Sequence, residues 1–204
     1  MNDAQIRENF HKIYLGRFHT EPNVLVVDEL GLIHGKGRAD IVVINGRLIG
    51  YEIKSDDDSL DRLREQVLMY NSIFDRNTIV VGEKHVKKIR SKIPKSWGIV
   101  VSSRQVKNNV TFTKLRSAGP NKQIKPYALA QLLWSKEAAS ILKELGEPSK
   151  ILRQPRSELY KLLAVKLSLT ELRREVRRCL KSRKNWRSRE PQTPNDDLFR
   201  PTAM

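Results

Sequence analysis

Two acids and a lysine stand close together in a short stretch: Asp40, after Arg38-Ala39, and Glu52-Ile53-Lys54, with eleven residues between. Carboxylates and a backbone carbonyl are hard oxygen ligands of the kind Mg²⁺ or Mn²⁺ takes. A neighbouring ammonium can orient a water or neutralise developing negative charge. If these groups converge, the chemistry is metal-assisted hydrolysis of a phosphate ester. Asp40, Glu52 and the Ile53 carbonyl are then the expected metal ligands, and Lys54 the expected catalytic lysine.

The flanking residues make this costly without compensation. Leu48, Ile49, Gly50, Tyr51 and Ile53 read as a strand apolar on both faces, hence central. Glu52 and Lys54 share one face of it, because side chains alternate. A buried charge must be paired or bind a metal. Gly50 is expected to leave room for an approaching backbone. The preceding segment, Ala39 to Ile44, joins this strand through Asn45-Gly46, a hairpin signal. A two-residue turn pairs Ile44 with Arg47 and sends Asp40 and Glu52 to opposite faces. A three-residue loop with Gly46 in the left-handed conformation puts Asp40, Gly50, Glu52 and Lys54 on one face. Convergence therefore requires an odd loop or a bulge.

The elements around this hairpin follow from periodicity. Asp3 to Tyr14 predicts a helix with Ile6, Phe10, Ile13 and Tyr14 on one face and Glu8 on the other. Val24 to Val27 predicts a strand, with Glu29 on the face of Leu25 and Val27. His34 to Arg38 reads as a basic loop, and its Lys36 and Arg38 are candidate nucleic-acid contacts. Asp58 or Ser59 caps a helix to about Asp75 with the stripe Leu60, Leu63, Val67, Tyr70 and Phe74. Asp56 to Asp58 read as a solvated helix start. Strands follow at Thr78 to Val81 and Trp97 to Val101, separated by a basic helix from Glu83 to Ile93 that carries Lys84, Lys87, Lys88 and Arg90. Val110 to Leu115 adds an edge strand. This is an α/β fold with a mixed sheet flanked by helices.

Ala118-Gly119-Pro120-Asn121 marks a boundary, and beyond it the pattern is helical only. Helices are expected over Tyr127 to Trp134, Lys136 to Leu145 and Ser157 to Leu167, with Gly146 and Pro148 stopping the second. Ser168-Leu169-Thr170-Glu171 is a capping box opening a last helix to about Trp186. That helix carries Arg173, Arg174, Arg177, Arg178 and Lys181. Like charges at i, i+4 repel by a few tenths of a kcal/mol, which a phosphate backbone would relieve, so these five are expected to touch nucleic acid non-specifically. The expected organisation is a catalytic domain at 1–118, a basic helical region at 119–187 and a disordered tail at 188–204.

Asp40, Glu52-Ile53-Lys54 and the strand order together resemble the PD-(D/E)XK nuclease superfamily, which has the restriction-endonuclease-like fold. Gln66 and Tyr70, four apart on one helix face, resemble the QxxxY motif of its RecB-like and Cas4-like branches. The resemblance covers roughly the first half of the chain, with Ala39 standing where the motif name has Pro. It implies a Mg²⁺- or Mn²⁺-dependent nuclease in which Gln66 orients the site and an upstream acid, Glu29 in preference to Glu8, is the third metal carboxylate. Glu29-Leu30-Gly31-Leu32, Gly50 to Asp56 and Arg62-Leu63 are similar to a small bacterial and phage family within that superfamily. This closer resemblance extends into the C-terminal helices.

Composition is compatible with this reading. Of 204 residues, 39 are Lys or Arg and 23 Asp or Glu, a formal charge of +16 that favours polyanionic partners. DNA is the preferred partner. A catalytically silent DNA-binding module and an RNA-cleaving enzyme are the alternatives, and a homodimer or a further protein partner is left open. One cysteine, Cys179, excludes an intrachain disulfide and a Cys-based zinc module. The four histidines form no HExxH motif or close cluster in sequence. Neither a signal peptide nor an 18-residue apolar run is visible, so the expected location is the cytoplasm, away from membranes.

Overall fold

The computed structural model describes residues 1–105 and 109–183. The tail expected at 188–204, and the end of the last helix expected at 184–186, lie outside them.

Six strands form one mixed sheet in sequential order: β1 (Leu25–Leu32), β2 (Gly37–Ile44), β3 (Leu48–Lys54), β4 (Arg76–Gly82), β5 (Gly98–Arg104) and β6 (Val110–Arg116). β2 runs antiparallel to both β1 and β3, while β3, β4 and β5 run parallel and β6 returns antiparallel to β5. The two parallel steps go in the same direction across the sheet. Right-handed crossovers then put both connecting helices on one face. Both α3 (Leu63–Ile73) and α4 (Val86–Lys92) do pack into one core, through Val67, Tyr70 and Ile89 against Val42, Leu48, Ile79 and Ile99.

The opposite face carries a smaller core. Ile6 of α1 (Asp3–Asn9), Phe10 and Phe18 of α2 (Gly16–Thr20) pack there on Ile41, Val43, Tyr51, Ile53, Val80 and Val100. The single helix expected over Asp3 to Tyr14 is α1 followed by a π-helical turn at Phe10–Tyr14. The widened turn stacks Phe10 on Tyr14, and both rings meet Tyr51 and Phe112.

The helical second half is α5 (Pro126–Ala130), α6 (Ser135–Glu144), α7 (Ser149–Leu152), α8 (Arg156–Lys166) and α9 (Leu169–Ser182). Leu129, Leu133, Ile141, Leu163, Val176 and Leu180 join the same core as the α3 face of the sheet. The Ser168–Glu171 capping box opens α9: the Glu171 carboxylate accepts from the Ser168 N–H at 2.8 Å. Gly146, at φ 85°, turns the chain out of α6. Helix α3 begins at Leu63 rather than at Asp58 or Ser59. Asp58 is instead drawn back to Ser55, accepting from its N–H and its hydroxyl at 2.7 Å each.

Candidate active site

The β2–β3 hairpin decides whether the site exists. Ile44 pairs with Leu48, Val43 with Ile49, Val42 with Gly50 and Ile41 with Tyr51. The loop is therefore Asn45-Gly46-Arg47, three residues, and Asp40 falls opposite Glu52. Gly46 is not in the left-handed region; the loop is closed by Asn45 N–H to the Arg47 carbonyl and by Arg47 N–H to the Asn45 side chain. The parity expected of a glycine bulge is thus reached by a different turn.

Beyond Ile41 and Tyr51 the two strands part, and side chains replace the backbone ladder. Asp40 Oδ2 accepts from the Ile53 N–H at 2.7 Å. The Tyr70 hydroxyl accepts from the Asp40 N–H and donates to the Tyr51 carbonyl, each at 3.2 Å. Tyr70 is fully buried and, with Phe74, packs against Gly50. A Cβ at Gly50 would sit 2.7 Å from the Phe74 ring and 2.9 Å from that of Tyr70. The space expected there for a backbone is taken by these two rings.

Glu52 and Lys54 both point into the splayed end under α3. Glu52 is fully buried and Lys54 nearly so. Lys54 Nζ lies 2.9 Å from Glu52 Oε1, the same oxygen to which Gln66 Nε2 donates. Glu52 Oε2 and Gln66 Oε1 are buried and have no partner. N–H and C=O of one strand residue face the same neighbour, so the Ile53 carbonyl faces the gap in which Asp40 meets its amide.

The electrostatics match this crowding. Burial, then the charge of Glu52, pushes the Asp40 carboxyl up to about 7, against the Ile53 N–H and Arg7, which favour its charge. Burial likewise raises Glu52, with the charge of Lys54 and then the nearby Tyr70 hydroxyl opposing. Burial and the two nearby carboxylates hold the Tyr70 hydroxyl well above its ordinary value, so it serves as a neutral donor.

Sequence reasoning passed over Arg7. From α1 it donates to the Asp40 carbonyl at 2.7 Å and lies 3.3 Å from Asp40 Oδ1, 2.8 Å from Glu29 and 3.2 Å from Asp3. No spacing signal marks a residue 33 positions from its partner, on a helix whose polar face reads as solvated. Glu29, the preferred third carboxylate, pairs with Arg7 and Arg38. Its left-handed backbone (φ 58°), uncommon for a residue with a side chain, interrupts the alternation expected of β1, so that Val27 and Leu30 join one core. Among the described residues no three His, Cys, Asp or Glu side chains are grouped to hold a metal. Asp40 and Glu52 remain as the two carboxylates. The orphaned Oε2, the hard oxygen donors and the facing Ile53 carbonyl suit a divalent cation.

The remaining expected residues are spread out. Lys36 and Arg38 are carried by the β1–β2 connection and the start of β2, and Lys36 is exposed. Arg173 pairs with Asp75 at 2.8 Å, Arg174 and Arg178 pair with Glu175, and Lys181 donates to the Asn23 carbonyl. Asp75 in turn holds both backbone groups of Leu48, the first residue of β3. Helix α9, with Arg177, thus sits at the end of β3 away from Lys54, about 20 Å along a strand rising ~3.3 Å per residue. Two histidines far apart in sequence do meet: His11 Nδ1 lies 3.0 Å from His19 Nε2, and His11 Nε2 lies 2.9 Å from Asp28.

Fold and site together define a mixed α/β protein with a Glu–Lys pair buried at the C-terminal end of a central strand and the half-buried Asp40 opposite Glu52 on the neighbouring strand. A family model described as bacteriophage P4 protein cII matches residues 3–194, and the chain belongs to that family. Protein cII of Enterobacteria phage P4 is 27% identical over 175 residues, covering 86% of this chain and 63% of the relative. The chain thus spans less than two thirds of that relative's length. Among solved structures, SfsA of Pyrococcus furiosus in complex with Ca²⁺ aligns over 57% of this chain and 64% of its own, at 13% identity and a TM-score of 0.34. No helix of the described residues is long and apolar enough to cross a membrane.

Proposed function

We propose that this protein is a divalent-metal-dependent nuclease of the PD-(D/E)XK type, acting on DNA. The observation that carries the reading is the buried, partnerless Glu52 Oε2 beside Asp40, with Lys54 on the other oxygen of the same carboxylate. A buried carboxylate oxygen left without a partner is costly, and a cation relieves it. Asp40, Glu52 and the Ile53 carbonyl would hold Mg²⁺ or Mn²⁺, which when bound supplies Lewis acidity toward a phosphate oxygen. Lys54 holds a positive charge against Glu52 and is poised to offset negative charge developing on the phosphate. Gln66 fixes the Glu52 carboxylate through its amide N–H, and Tyr70 fixes Asp40 through its backbone.

The formal charge of +16 favours a polyanionic substrate. The test is cleavage of supercoiled, linear and single-stranded DNA, and of RNA, with Mg²⁺, Mn²⁺ or EDTA. Metal-dependent cutting of DNA lost in Lys54→Ala is the expected result; cutting retained by Lys54→Ala overturns the assignment, and RNA as the cleaved substrate overturns the choice of DNA. A silent DNA-binding module is the second reading. It is favoured by Arg7 and Lys54, which already set positive charge against both carboxylates. Tight DNA binding without turnover in any metal would select it.

A further inference from the structure

Two adjoining depressions lie beside the C-terminal ends of β3 and β4, where ligands of open α/β sheets tend to bind. One, of about 360 Å³, is lined by Lys84, Lys88 and Lys92 together with His85 and the turn Asp58 to Asp61. The next, of about 430 Å³, shares Leu60, Asp61 and Lys92 with it and adds Leu63 and Arg64 at the start of α3. The chain ties this ground to the active site. Ser55, next to Lys54, binds Asp58 through its N–H and hydroxyl, and its carbonyl lies 3.0 Å from His85 Nε2. Lys84 donates from Nζ to the Asp56 carbonyl at 2.9 Å and from its backbone N–H to the Asp56 carboxylate at 3.0 Å.

Most of the α9 cations differ from these four. Lys84, Lys88, Lys92 and Arg64 are exposed. Among the described residues none of them makes an ion pair; on α9, Arg173, Arg174 and Arg178 each make one, while Arg177 and Lys181 make none. The acids lining the depressions are held in the turn by serines: Asp58 accepts from Ser55, Asp61 from the Ser59 hydroxyl at 2.5 Å. The first depression sets three lysines against the carboxylates of Asp58 and Asp61, and the second sets Lys92 and Arg64 against Asp61, so cations outnumber acids in both. From Lys84, in the 3₁₀ turn Glu83–His85 that leads into α4, to Lys92 is about 13 Å at roughly 2.0 Å per residue in the turn and 1.5 Å in the helix.

We propose that Lys84, Lys88, Lys92 and Arg64 form the track that holds the sugar–phosphate backbone of a nucleic acid leading into the Asp40–Glu52–Lys54 site, in place of the phosphate contacts expected on α9. The destination of the strand rests on the nuclease reading; the binding track does not.

The test measures binding of a short fluorescent DNA duplex to the full chain in EDTA across a salt series. A triple variant Lys84→Gln, Lys88→Gln, Lys92→Gln is set against Arg174→Gln, Arg177→Gln, Arg178→Gln, which removes the same charge from α9. Thermal melts check that both fold. The expected result is an affinity loss of about tenfold or more in the α4 triple at moderate salt, with a slope of log affinity on log salt shallower by about 2 to 3. The α9 triple keeps the parent slope. Equal losses in both triples, or no loss in the α4 triple, overturn the track. Displacement of the duplex by poly-glutamate at equal charge also overturns it, in favour of an acidic protein partner. Because binding is read without metal, an α4-specific loss in a parent that cuts nothing supports the track while the nuclease reading fails. Unchanged KM in the α4 triple of a cutting parent overturns the track alone.

Discussion

Asp40 and Ile53, on neighbouring strands, are joined by a 2.7 Å hydrogen bond from backbone amide to carboxylate where the ladder between those strands has ended. The bond makes Asp40 both a piece of the sheet and a member of the site. It binds the charged form of a carboxyl that burial and Glu52 push up to about 7.

A pH dependence of stability follows. Below the ordinary carboxylate range Asp40 is protonated in the folded and unfolded chain alike, and it costs nothing. As the pH rises from about 4 to about 7, the unfolded chain ionises and the folded one resists, so this group's contribution to stability is lost through that window. A rise of that size corresponds to roughly 4 kcal/mol as a ceiling. Metal-free protein should therefore melt at a lower temperature at pH 8 than at pH 5.5, and Asp40→Asn should remove much of that difference. Added Mg²⁺ should raise Tm more at pH 8 than at pH 5.5. A Mg²⁺ effect that is the same at both values counts against Asp40 as a ligand.

Arg7 lowers the Asp40 pKa through its charge. Arg7→Gln keeps a donor for the Asp40 carbonyl and removes the charge. The acidic limb of the pH–rate profile should move to higher pH in this variant, with activity recovering toward the parent's in alkaline buffer. Loss of activity that is uniform across pH would mean that Arg7 acts only in packing α1.

The Tyr70 hydroxyl spans the gap between the Asp40 N–H and the Tyr51 carbonyl. Tyr70→Phe keeps the ring against Gly50 and leaves both backbone groups unpaired in a buried place. The expected cost is about 1–3 kcal/mol, read as a lower denaturation midpoint with an unchanged m-value. Activity should fall as well, because the bond that positions Asp40 is gone. A variant as stable as the parent would show that water replaces the hydroxyl, and the bridging role would be discarded.

Much of this is legible in the chain itself. Apolar runs rich in β-branched residues locate β2 to β5, because strands buried on both faces leave near-continuous sequence of that kind, whereas of the edge strand β1 (Leu25–Leu32) only the start shows in the expected Val24 to Val27. The charged pair Glu52 and Lys54 stands out for the same reason. Convergence demands odd parity in the loop between β2 and β3, and the Asn45–Arg47 turn meets that demand without a left-handed Gly46. Glu29 escapes because strand alternation assumes regular backbone, and its own φ of 58° breaks that. Arg7 and the His11–His19–Asp28 contacts are hidden since they join segments that packing, not periodicity, brings together. The cations of α9 stand out by number, but a count of charges does not show which are consumed in ion pairs.

Gln66 offers the sharpest separation of a positioning role from a structural one. Its amide N–H is spent on Glu52 Oε1, and its own Oε1 is buried without a partner. Gln66→Leu conserves approximate volume and leaves Glu52 free to swing. Partners that hold a metal ligand in place are worth about 10–100-fold in metal affinity. The concentration of Mn²⁺ needed for half-maximal cleavage should therefore rise by that factor, while the rate at saturating Mn²⁺ falls much less. Gln66→Glu sets a like charge against Glu52, so its apo form should be the less stable of the two at neutral pH, and added metal should stabilise it more. A Gln66→Leu protein with parental metal dependence and reduced Tm would assign Gln66 to the core of α3 and leave Glu52 to be held by Lys54 alone.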